Sequence, residues 1–360
     1  MKKYMLYFIA TFTLIVCVGA KFDIDQAISK FIHQVKAKNK TQNVSTVGDS
    51  ADDTAIYINQ QDPKKSLIIG TNKQAGLIVY DLNGKITQEF NDGELNNVDI
   101  RYGFEFNNQK VALIAASNRT FDTIDFYYVD NTQKVYRLSS NEYHAGLEIY
   151  GLCMYKDKEN DDYYVFVNSK KGEVIQWLIN SKDNNLTLSN SRQFQLSSQV
   201  EGCVADDDYH KFYISEETRG IWQYEAFASS IKEPVLIDAV SLNGNLAADV
   251  EGLALYNIGK KEGYLIASSQ GDNSFSIYSR KTLEFIGKFQ VNYQDKQIQN
   301  TDGISISSHQ LDISYPFGIV VVQDGNKTNE FQNFKMVSWL SLATSFFPPL
   351  KLETKDVVIE

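Results

Sequence analysis

A short β-rich run, a polar cluster and a second alternating run recur six times along this 360-residue chain. No other feature limits the fold as much. The copies are SLIIGTNKQAGLIVYDL from Ser66, VALIAASNRTFDTIDFYYV from Val111, YYVFVNSKKGEVIQWLI from Tyr163, KFYISEETRGIWQYE from Lys211, GYLIASSQGDNSFSIYSR from Gly263 and FGIVVVQDGNKTNEFQNFKMV from Phe317. Each reads as a β-hairpin. With Thr71, Ser117, Ser169, Glu216, Ser269 and Gln323 as equivalent points, the spacings are 46, 52, 47, 53 and 54 residues. A third strand precedes each hairpin, starting near Ala51, Asn96, Glu148, Val200, Asp249 and Thr301. Four of these strands open on a polar residue followed by glycine: Tyr150-Gly151, Glu201-Gly202, Glu251-Gly252 and Asp302-Gly303. Glycine there implies backbones packed too closely for a side chain, as innermost strands around a channel require. With an outer linking strand, six units of about four strands make an all-β, six-bladed β-propeller. Radial repetition leaves few exposed edges, so this much β structure can stay soluble.

The ends of the chain read differently. Lys2 and Lys3, the apolar run Leu6 to Val16, and Val18-Gly19-Ala20 form a secretory signal over residues 1–20. A lipoprotein reading through Cys17 is weaker, because Leu14-Ile15-Val16 lacks the small residue expected before a lipidated cysteine. The mature protein is therefore expected to be exported, secreted or extracellular, and periplasmic in a Gram-negative cell. No later run is long enough to span a membrane. In residues 21–47, Ile24, Ala27, Ile28, Phe31, Ile32 and Val35 have helical spacing, which predicts a helical pro-segment or linker. Residues 48–360 form the propeller domain, with the tail from Leu340 as a strand or loop closing the ring. Cys153 and Cys203 are expected as two buried thiols rather than a disulfide. Five Asn-x-Ser/Thr sequons, at Asn39, Asn43, Asn118, Asn185 and Asn326, matter only in a eukaryotic secretory pathway.

The repeat alignment also gathers chemistry. After the equivalent points come Asn72-Lys73, Asn118-Arg119, Lys170-Lys171, Glu217, Gln270 and Asp324, all at one end of equivalent strands. The inner-strand starts add Asp52, Asp53, Asp99, Tyr150, Glu201, Asp249, Glu251 and Asp302. Closing the ring brings carboxylates and cations to one mouth of the channel. Converging carboxylates repel one another unless cations neutralise them. Oxygen donors in an irregular array suit Ca²⁺. The array does not favour zinc, since His33, His144, His210 and His309 lie outside these clusters and no Cys/His spacing matches a zinc site. Lys73, Arg119 and Lys170 stand beside the acids on successive blades, and acids, calcium and Lys/Arg together are what phosphate ester hydrolysis needs. With 35 Lys+Arg against 45 Asp+Glu the chain has no basic surface for nucleic acid. It could approach a polyanion only through bridging divalent cations.

The motifs GDSADDTAIYIN, TNKQAGLIVYDLNGK, LNNVDIRY, AASNRT, EIYGL, EGCVADDDYHKFYISEE, DVEGLALY, GYLIASSQGDNSFSIY, TDGISI, YPFGIVVVQDG and QNFKMVSW together resemble the β-propeller phytases, the alkaline, calcium-dependent phytases of the Bacillus type. The likeness runs in order from about Gly48 to Trp339. It implies a secreted phosphoric monoester hydrolase of the 3-phytase type, with several Ca²⁺ ions and phytate or calcium-phytate as substrate. A calcium-bridging water would attack phosphorus directly. By motif, Lys73, Arg119 and Lys170 are similar to the cations that grip the scissile phosphate. Asp52, Tyr150, Glu201, Glu217, Asp249 and Glu251 match ligands of the catalytic calciums. Asp53, Asn97, Asp99, Gln270, Asp302 and Asp324 match further calcium or second-phosphate positions, some of them structural.

Three departures stand out. Gln74 replaces a lysine that anchors an adjacent phosphate, Lys171 replaces an acid, and Thr218-Arg219-Gly220 replaces an acid-rich stretch. They imply weaker calcium binding, with a basic edge of Lys170 and Lys171 helping to hold phosphate. The alternatives are a non-catalytic, calcium-stabilised propeller that binds a partner, and a lactonase-type calcium propeller. Neither needs the trio of cations. A phosphohistidine mechanism lacks its Arg-His-Gly context. A monomer is expected, because a closed propeller has no free edge to pair.

Overall fold

The computed structural model describes residues 31–354, apart from 131, 139–142, 184, 243 and 326–329. The signal segment 1–20 therefore lies outside the described residues. Six sheets succeed one another along the chain, each with its first strand innermost. Blade 1 comprises Ala51–Tyr57, Leu67–Asn72, Gly76–Asp81 and Ile86–Phe90. Blade 2 comprises Leu95–Phe106, Gln109–Asn118, Thr123–Val129 and Val135–Arg137; blade 3, Leu152–Asp157, Asp162–Asn168, Glu173–Lys182 and Asn185–Gln195. Blade 4 comprises Val200–Asp206, Lys211–Glu216, Gly220–Glu225 and Val235–Ala239; blade 5, Val250–Ile258, Glu262–Ser269, Ser274–Ser279 and Phe285–Tyr293. Blade 6 comprises Ile304–Ser307, Ile319–Asp324 and Asn333–Ser338. Its inner strand meets that of blade 1 and closes the ring. The six-bladed propeller read from the repeats is the fold.

Burial follows from this geometry. A middle strand such as Leu67–Asn72 is covered on both faces by neighbouring blades and is buried throughout, whereas the outer strand Ile86–Phe90 alternates half-buried and exposed. Each junction between blades holds its own apolar cluster. Phe166 of blade 3 stacks on Phe212 of blade 4 at 4.0 Å, and Phe334 of blade 6 packs with Ile68 and Tyr80 of blade 1.

The N-terminal segment departs from the expected helix and linker. Ile32–Lys36 is a strand, parallel to Phe285–Tyr293 at the outer edge of blade 5. Asn39–Lys40 pairs with Asn333–Ser338 as the outermost strand of blade 6. The open backbone groups of those two blade edges win over helical spacing, and Val35 is buried in the blade 5–6 core. Residues 21–30 of the expected helical segment lie outside the described residues. The N-terminal segment, not the tail, therefore supplies the outermost strand of blade 6. The tail forms a six-residue helix, Trp339–Thr344, whose Trp339 stacks on Tyr256 at 3.5 Å.

The two cysteines correct another expectation: Cys153 and Cys203 form a disulfide between the inner strands of blades 3 and 4. The repeat puts them on adjacent strands 50 residues apart in sequence, and their Cα atoms lie 5.7 Å from each other, within bonding reach.

Candidate active site

Two devices aim the acids into the channel mouth. The ladder between inner and second strands shifts register at Ala51/Thr54, Leu95/Val98, Val200/Cys203 and Val250/Leu253. Bulges at these equivalent places turn Asp52, Asn96, Glu201 and Glu251 away from the ladder. The glycines then let successive inner strands nearly touch. A Cβ on Gly202 would lie 2.3 Å from the Glu251 carbonyl oxygen, and one on Gly303 would lie 2.5 Å from that of Asp52. The N–H groups of Gly252 and Gly303 donate to the carbonyls of Asp302 and Asp52, each at 3.1 Å. The acids are thus stitched blade to blade before any ion is considered.

Asp49, Lys73, Tyr150, Gln199, Glu201, Glu217, Asp249, Glu251, Gln270 and Asp302 line a cleft of 420 Å³, with Asp52 buried against Lys73. Glu201, Glu217 and Glu251 are buried and offer carboxylate oxygens all within 4.8 Å of one another. Lys73, only 12% exposed, is ringed by Asp302 at 2.7 Å, Asp49 at 2.9 Å and Asp52 at 3.0 Å. Gln270 Nε2 donates to the other oxygen of Asp302 at 2.5 Å.

Burial works against these charges. It pushes the carboxyls of Asp52 and Asp302 up, against the pull of Lys73, and raises Glu251 well above the carboxylate range, with Glu201 adding repulsion. Desolvation lifts Glu217 to about 7 although Gln199 donates to it at 2.6 Å. Burial would lower the Lys73 ammonium, but Asp52, Asp302 and Glu201 outweigh it and hold the charge in place. Burial and the neighbouring glutamates keep Tyr150 a neutral phenol. Asp52 Oδ2 and Glu251 Oε2 are buried without a hydrogen-bond donor, and Asp52 Oδ1 has its ion pair with Lys73. Oxygen-only donors, crowded and under-satisfied, can hold hard divalent cations.

The remaining expected residues fall in three places. Arg119 and Lys170 flank the Tyr150 ring at the cleft edge, 5.6 and 4.4 Å from its centroid. Asp53 and Asp99 line a second cavity, and Asn97 is buried beside Asp53. Asp53 accepts from Asn97 Nδ2 and the Val98 N–H, each at 3.3 Å, and burial raises it to about 7. Asp99 is engaged by Arg101 at 3.0 Å and by the N–H groups of Ile100 and Met154. Asp324 pairs with Lys335 outside the cleft lining, and Lys171 pairs with Glu148 at the exposed rim. Gln74 Nε2 donates to the Asp49 and Val47 carbonyls, bracing the loop that brings Asp49 to Lys73.

The sequence reading did not single out Asp49, Asn96 or Gln199. Asn96, fully buried, donates to Glu201 Oε1 at 2.6 Å and accepts from Arg119 at 3.2 Å, tying a cation to the acidic cluster. Its signal was its place: Asn96 stands in the blade 2 bulge where Glu201 and Glu251 stand in theirs.

The sequence profile described as phytase matches residues 3–357. This chain belongs to the phytase family. It is 37% identical over 324 residues to a 3-phytase of Bacillus subtilis (strain 168), covering 86% of this chain and 85% of that protein. The match of this phytase to the family takes in every blade and the whole cleft.

Proposed function

We propose that the cleft hydrolyses phosphate monoesters of phytate, myo-inositol hexakisphosphate, to lower inositol phosphates and phosphate. Calcium ions would be held by Glu201, Glu217 and Glu251, with Asp52, Tyr150, Asp249, Gln270 and Asp302 as flanking donors. Membership of the phytase family and the likeness to a 3-phytase support the reaction. The observation that carries the site is the meeting of three buried glutamates within 4.8 Å, beside Lys73 and the Arg119–Tyr150–Lys170 group. The donor set fits calcium: every donor is oxygen, neither histidine nor cysteine lines the cleft, and Asp52 Oδ2 and Glu251 Oε2 are buried without a hydrogen-bond donor. Bound there, calcium neutralises the carboxylates, polarises the phosphate and acidifies water.

The chain's own groups do the rest. Lys73, Arg119 and Lys170 hold the phosphate oxygens while negative charge redistributes over them. Asp49, mostly exposed, can yield its place on Lys73 to a phosphate oxygen, whereas buried Asp52 and Asp302 keep the ammonium aimed. The cleft lining contains no serine, threonine, cysteine or histidine to act as nucleophile. That composition favours direct attack by water: its oxygen bonds to phosphorus as the phosphorus–inositol oxygen bond breaks, and the departing oxygen takes up a proton. The Cys153–Cys203 disulfide supports export, since such bonds persist in oxidising compartments. Among the described residues no helix is long and apolar enough to cross a membrane.

The test is phosphate release from phytate by the mature protein, in added calcium and then in excess chelator. Release should occur in calcium, stop in chelator and return when calcium is restored. Release that ignores chelator overturns the calcium part, and no release at any calcium level overturns the reaction.

A further inference from the structure

Two of the three site cations share one aromatic ring. Lys170 Nζ lies over the Tyr150 ring 4.4 Å from its centroid, and the Arg119 guanidinium lies over it at 5.6 Å. Both distances are inside the roughly 6 Å at which the ring quadrupole attracts a cation. The ring itself is fixed. The Tyr150 N–H donates to the Asn168 carbonyl at 2.8 Å, the Tyr150 carbonyl accepts from Ser117 Oγ at 2.8 Å, and the hydroxyl bonds to Glu201. Residue 150 is thus tied to blades 2, 3 and 4 at once. Arg119 has a second tether in Asn96, at 3.2 Å. Lys170 reaches out from the blade 3 hairpin, where two like charges near one phosphate site would otherwise drift apart into solvent.

We infer that Tyr150 is a positioning residue whose aromatic face sets the spacing of Arg119 and Lys170, so that both cations are ordered before a phosphate group arrives. This goes beyond a ligand role for its hydroxyl and rests on the proposed phosphate site. Pre-ordering two long side chains spares a bound phosphate that entropic cost, so the ring's worth appears in phosphate affinity.

The experiment replaces Tyr150 with phenylalanine and then with phenylalanines carrying one, two and three ring fluorines. Shape and packing are kept, while fluorine drains the ring face. Binding of inorganic phosphate to the calcium-loaded protein is measured by calorimetry, which needs no turnover. Tyr150→Phe, which also loses the hydroxyl, is the reference for the series, and from it affinity should fall stepwise, by about ten-fold across the fluorinated rings. An affinity that stays flat from Tyr150→Phe through the fluorinated rings overturns the inference, whatever the loss of the hydroxyl itself costs. Failure of the parent protein to release phosphate from phytate would instead count against the proposed reaction, and is read separately.

Discussion

Lys73→Met is expected to cost the calcium-free protein about 3–5 kcal/mol, because it strips the counter-charge from buried Asp52 and Asp302 and leaves them facing each other and Glu201. Chemical denaturation in chelator measures this. Calcium should return most of the lost stability, since an ion can neutralise the same carboxylates. Activity should not return. A cation that meets the charge of the reacting phosphate is worth roughly 3–4 kcal/mol, so kcat/KM for phytate should remain down by about several hundred-fold at saturating calcium. Recovery of activity together with stability would mean that Lys73 only balances charge and never touches substrate.

Glu201→Gln should separate stability from function in the opposite direction. Glu201 repels Glu251, Asp52 and Asp302, and it accepts from Asn96 at 2.6 Å. Removing its charge relieves a crowded buried cluster. The calcium-free variant should therefore be more stable than the parent by roughly 1–2 kcal/mol. Its kcat/KM should nonetheless fall by about a thousand-fold or more, because calcium loses a central ligand. Thermal unfolding in chelator and phosphate release in calcium read the two effects on one preparation. A variant that is destabilised without calcium would show that Glu201 is held by favourable contacts rather than against repulsion.

Much of this was legible in the sequence because the propeller repeats it. One alignment of six hairpins gave the blade count and the mouth of the channel, and it put Lys73, Glu201, Glu217, Glu251, Asp302 and Tyr150 in one place. Gly202 and Gly303 announced the tight contacts between inner strands for a simple steric reason. What stayed hidden was either pairing across blades or partner choice. Ile32 and Val35 satisfy a helix as well as a strand, and only the vacant edge of blade 5 decides between them. Cys153 and Cys203 look unrelated at a distance of 50 residues until the repeat makes their strands neighbours. Asp99 and Asp324 have the residue type of calcium ligands, and only the fold brings Arg101 and Lys335 to them as ion-pair partners. Asn96 was passed over beside Asn97, because a bulge rather than strand alternation decides which of the two faces Glu201.

The central claim is that Glu201, Glu217 and Glu251 hold calcium as one cluster. Calorimetric titration of calcium into the chelator-treated protein tests it most directly, with the Glu217→Gln, Glu251→Gln double variant in parallel. The parent is expected to bind calcium, and the double variant to lose that binding together with phosphate release from phytate. Equal calcium binding by the two proteins would contradict it.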